Sequence, residues 1–99
     1  MLPRRVRLGY QTIPVEVMPI EGANGVYHSS PPKIIIHPDQ PTREEMNSLI
    51  HELLHAVWDH FNLPDENEEH CVTSLANGVT ELLCRNPKLR EYLCQSSGD

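Results

Sequence analysis

A chain of 99 residues, 38% apolar and 22% charged, has material for one domain and one core, and its longest apolar run is too short to cross a bilayer. The net charge of −6 is uneven: Arg4, Arg5, Arg7 and Lys33 outweigh Glu16 and Glu21 in residues 1–33, while the rest is strongly acidic. Phosphate neutralisation needs Lys and Arg, so no nucleic acid is expected as a partner, and no membrane.

Residues 5–37 read as strands. Arg5 to Tyr10 and Thr12 to Met18 are rich in Val, Ile and Tyr, with Gly9 between them, and Val15 and Val17 alternate around Glu16. Glu21-Gly22-Ala23-Asn24-Gly25 predicts a turn, with Asn24-Gly25 as its strongest signal. Val26 to Ser29 predicts a short strand. Lys33 to His37, with three consecutive isoleucines, predicts another, which Pro38 ends.

The remainder reads as helices over about 43–61, 66–85 and 88–94. Thr42 with Glu45 predicts a capping box for the first, and Asp65 with Glu68 a capping pair for the second. Met46, Leu49, Ile50, Leu53, Leu54, Val57 and Phe61 form one apolar stripe at helical spacing. Val72, Leu75, Ala76, Val79, Leu82 and Leu83 form the next. The last four residues predict a loose tail. Strands followed by helices predict a single α+β domain over residues 1–99, with a small antiparallel or mixed sheet and the helices on one side.

Three cysteines, an odd number without a C-x-x-C pair, point to a reducing, cytoplasmic setting and to buried thiols. No apolar segment follows the basic start, so no secretory signal is expected.

The first helix contains His51-Glu52-Leu53-Leu54-His55, an HExxH sequence. Histidines at i and i+4 lie about 40° apart on a helix, so both imidazoles can converge on one zinc ion. Glu52 projects roughly 60–100° from them, where it can act as general base without being a ligand. A third protein ligand is required. His60 lies about 180° around the helix from His51 and about 140° from His55, which excludes it. Asp59 is a long reach beyond the metal, and Glu66 and His70 point away. Glu68 and Glu69 flank the apolar face of the second helix. A carboxylate beside such a face is costly unless paired or metal-bound, and Glu68 has a capping role to explain it. Glu69 is therefore the third ligand on this reading, with Glu68 as the alternative.

HExxH followed by a glutamate from the next helix resembles the gluzincin branch of zinc peptidases. The stretch from Leu49 to Leu83 resembles ImmA/IrrE-type metallopeptidases and, more closely, small phage- and prophage-encoded HExxH peptidases. Leu75-Ala76-Asn77-Gly78 matches an LAxG-like segment of that group, and on that alignment Glu69 takes the ligand position. The resemblance covers about residues 34–93. It implies a minimal zincin-like fold, one Zn2+ per chain, a polypeptide substrate lying along an edge strand at Val26 to Ser29, and a bacterial cytoplasm. The C-terminal substrate domain of the larger members of that group has no expected counterpart in this sequence, so substrate identity does not carry over.

Two other metal patterns fit less well. The metzincin HExxHxxGxxH pattern fails at Trp58 and Phe61. The HGxxHLxGxDH pattern of YbeY-type endoribonucleases fails at Glu52, lacks its turning glycine, and is one residue short at Asp59-His60. A metal-stabilised interaction module is the alternative function, but the glutamate beside the water position favours an enzyme. Asn47, Ser48 and Asp59 are candidates to orient the histidines. Tyr27 and His28 belong to the suspected edge strand, His37 and Trp58 read as structural, and Cys71 points away from Glu69.

Overall fold

A computed structural model describes residues 1–95; the expected loose tail lies outside the described residues. The fold is α+β. Strands β1 (Arg5–Leu8), β2 (Gln11–Val17), β3 (Gly25–Ser29) and β4 (Pro32–Ile36) precede helices α1 (Thr42–His60), α2 (Glu68–Arg85) and α3 (Pro87–Leu93). No described helix is long and apolar enough to cross a membrane.

The sheet runs β1-β2-β4-β3 and is mixed. β1 and β2 form a hairpin closed by Gly9 and Tyr10, with Gly9 at φ +61° as the first residue of a type II′ turn. β2 and β4 are parallel, and β3 lies antiparallel to β4 as an edge strand. The connection from β2 to β3 therefore passes over β4. It is held by Met18 N–H to Ile36 O (3.2 Å), His37 N–H to Asn24 O (2.9 Å) and Ile20 N–H to the His37 imidazole (2.9 Å). His37 is thus structural, as its position suggested. The turn expected over Glu21–Gly25 forms at Glu21-Gly22, with Gly22 at φ +79°, and not at Asn24-Gly25, because Gly25 already pairs with Ile36.

Period-two alternation places Ile13, Val15, Ile34 and Ile36 on the face that meets the helices. They enclose Ala56, and Leu49 and Leu53 pack against them. The innermost line of α1 differs from the predicted stripe. It is Ser48, Glu52 and Ala56, spaced one turn apart, and Phe61 is exposed. The cause is that α1 is covered on two sides, by the sheet and by α2. Its apolar residues divide between them, Leu49 and Leu53 toward the sheet and Met46 toward Cys84 of α2 (3.7 Å). The seam between carries small or polar residues. α2 packs mainly on α1, burying Val72, Ala76 and Thr80 while Leu75 and Leu82 stay exposed.

Neither predicted side-chain cap forms. α1 begins at Thr42, one residue earlier than expected, because Pro41 O already accepts Glu45 N–H at 2.8 Å, and a residue inside the helix cannot cap it. α2 begins at Glu68 rather than 66. Asn67 stands before it in the left-handed region, at φ 62°, a conformation asparagine tolerates. Glu68 is thereby released from capping.

Candidate metal centre

α1 presents His51 and His55 from successive turns, and the first turn of α2 brings Glu69 across them. The two Nε2 atoms are 3.2 Å apart. Glu69 Oε1 lies 2.9 Å from His51 Nε2, and Glu69 Oε2 lies 2.9 Å from His55 Nε2. One donor atom from each of the three residues falls within 4.8 Å of the others, a grouping that could hold a metal ion. Zinc bonds of about 2.0–2.2 Å at tetrahedral angles require donor separations of about 3.3–3.5 Å. The observed separations are a few tenths shorter, within the reach of small side-chain rotations. The donor set, two imidazoles and a carboxylate, suits zinc.

His55 also resolves the role of Glu68. Its Nδ1 lies 2.7 Å from Glu68 Oε2. A histidine bound to metal through Nε2 keeps Nδ1–H and donates it to an acceptor that orients the ring. Glu68 stands where such an acceptor would, at His55 Nδ1, while the neighbouring Glu69 faces the two Nε2 atoms. The placement of Glu69 agrees with expectation, but the burial cost invoked for it does not apply. Its side chain is 70% exposed, whereas that of Glu68 is 26% exposed.

Glu52 sits on the buried line of α1, 7% exposed, beside the three donors. Burial pushes its carboxyl above the usual carboxylate range. The nearby His51 and His55 oppose that shift and Glu69 adds to it. Room for Glu52 is made by Gly25, the first residue of β3. A Cβ there would stand 3.0 Å from Glu52 Cγ and 3.2 Å from its Oε2. Gly25 is a site residue that its turn-like sequence context concealed.

The other candidates fall elsewhere. Asn47 donates to Asn77 across the helix pair (2.8 Å), Ser48 donates to Gln40 (2.8 Å), and Asp59 accepts the Tyr27 hydroxyl (3.0 Å). None of these contacts reaches a histidine, so Glu68 takes the orienting role expected of them. Gln40 was not foreseen; its amide also donates to His37 O (2.8 Å) and Asn24 O (3.2 Å), tying the segment before Gly25 to α1. His60 packs against Tyr10 and Phe61, away from the cluster. Trp58 Nε1–H donates to Pro64 O at 2.8 Å, a structural contact. Tyr27 is half-buried on the same face of β3 as Gly25, whereas His28 and Ser29 are exposed. Burial, together with the hydrogen bond and negative charge of Asp59, pushes the Tyr27 phenol up to about 12.

A groove follows the inner side of β3. It passes Gly25, Val26 and Tyr27 on one wall, and His51, Glu52 and His55 on the other. No family model matches the chain, and neither a curated protein nor a solved structure matches it.

Proposed function

We propose that the protein is a zinc-dependent peptidase that hydrolyses an extended polypeptide. The observation that carries this reading is the convergence of His51, His55 and Glu69 beside a buried carboxylate that is not itself a ligand. His51, His55 and Glu69 would hold the zinc ion, which, when bound, would supply a Lewis acid able to acidify water and polarise a carbonyl. Glu52 takes the proton of the attacking water and passes it to the leaving amine. Glu68 keeps the His55 ring aimed at the metal through Nδ1. β3, as an edge strand, offers unpaired backbone groups to an extended chain lying in the groove. The gluzincin resemblance of the HExxH helix and of Glu69 supports the same chemistry.

The test is cleavage of an extended-peptide library by the zinc-loaded protein and by Glu52→Gln. Cleavage should fall about 10²–10⁴-fold in the variant, the usual contribution of a general base, while bound zinc is unchanged. Zinc-loaded wild type that cuts nothing would overturn the peptidase reading and leave a metal-stabilised interaction module.

A further inference from the structure

We infer that the cavity beside His55, between α1 and the Tyr27–Ser29 end of β3, receives a cationic side chain, lysine or arginine, from the bound polypeptide. The substrate rests on the peptidase reading; the cavity and its charge do not. The cavity measures about 220 Å³. That is below the range of about 300–1,000 Å³ that holds a whole small-molecule ligand, and suits one side chain.

Its lining sets the chemistry. Asp59, Asp65 and Glu68 contribute three carboxylates, and no lysine or arginine is among the lining residues. Glu68 is committed to His55, and Asp59 accepts the Tyr27 hydroxyl through one oxygen. Asp65 has no side-chain partner among the described residues. Trp58 and Tyr27 also line it, and the indole is held by its bond to Pro64 O. A mostly polar surface that carries carboxylates and no cation favours a positively charged group.

Position links the cavity to the metal centre. His55 lines both the cavity and the groove over the three donors. Along β3 the groove meets Gly25 to Tyr27, and the cavity meets Tyr27 and Ser29. A strand advances about 3.3 Å per residue, so a chain laid along β3 places a side chain in the cavity one or two residues from the bond at the metal.

Trp58 is the only tryptophan of the chain, so its fluorescence reports occupancy of this cavity without any hydrolysis. The zinc-loaded full chain is titrated with N-acetyl-arginine amide and with N-acetyl-citrulline amide, its neutral isostere. Arginine should give a saturable change, with citrulline at least about fivefold weaker, the scale of one charge contact at a protein surface. Asp65→Asn, in an exposed loop outside the helices, should reduce that preference by a similar factor; Asp59→Asn provides a second variant. Equal responses to the two amides, or a preference unmoved by both variants, would overturn the inference. Arginine binding without any peptide cleavage would keep the cavity assignment and remove the peptidase. Cleavage without a basic preference would do the reverse.

Discussion

Gly25→Ala separates the geometry of the base from the stability of the fold. Gly25 is not in the left-handed region, so alanine meets no backbone penalty there, and only contacts decide the outcome. The added Cβ would lie 3.0 Å from Glu52 Cγ, 3.2 Å from Glu52 Oε2 and 3.3 Å from Ile36 Cδ1. Ordinary carbon contacts are about 3.5–4.0 Å, so Glu52 must yield by about half an ångström. Ile36 is fully buried in the core and has nowhere to go. Overpacking of this kind costs about 1–3 kcal/mol, and the loss of glycine's freedom in the unfolded chain returns about 0.4–1 kcal/mol. The net cost is about 0–2.5 kcal/mol, which lowers Tm by about 0–20 °C for a domain of this size. Catalysis is more sensitive: an ångström of misplacement can cost about 100-fold, so half an ångström at the general base is expected to cost about tenfold. Peptide cleavage by the folded fraction, zinc content and thermal unfolding are measured on the same preparation. Full zinc, a folded protein and activity down about tenfold are expected. Undiminished activity in the folded variant would refute the claim that this close approach positions Glu52.

Two further outcomes follow from the same contacts. Glu68→Gln should weaken zinc binding about 10-fold, at the low end for an orienting partner, because the amide oxygen can still accept from His55 Nδ1; competition with a chromogenic chelator measures it, and unchanged affinity would remove Glu68 from the site. Tyr27 should ionise near 12 instead of the ordinary 10.0. Its folded pKa is raised, so its contribution to stability is complete below pH 10 and is lost as pH rises toward 12. Absorbance titration of wild type and Tyr27→Phe checks this; a late-titrating tyrosine that survives the substitution would contradict it.

The class of fold was legible because strand and helix periods occupy separate parts of the chain. HExxH was legible because its geometry is local to one helix. Features that depend on what lies across the fold were not. The crossover over β4 is long-range, and nothing local distinguishes it from a simple meander through Asn24-Gly25. Ser48 read as a candidate to orient the histidines and Glu52 as the general base, and nothing local shows that both also lie on the buried seam of α1. Glu68 fits the spacing of a capping residue, and only the left-handed Asn67 and the distance to His55 show that it serves the histidine instead. Glu69 was placed by elimination on a helical wheel; the structure brings it to both Nε2 atoms, but as an exposed side chain, so the burial argument that singled it out was not the physical reason for its position.

The central claim is that His51, His55 and Glu69 form one zinc site. Metal content by mass spectrometry tests it most directly, on protein purified without added zinc and again after zinc is supplied, in wild type and Glu69→Gln. About one zinc per chain in wild type, with most of it lost in Glu69→Gln while the fold is kept, is the expected result. A wild-type chain that carries no metal and takes up none when zinc is supplied would contradict it, and would leave His51 and His55 as ordinary residues of a helix.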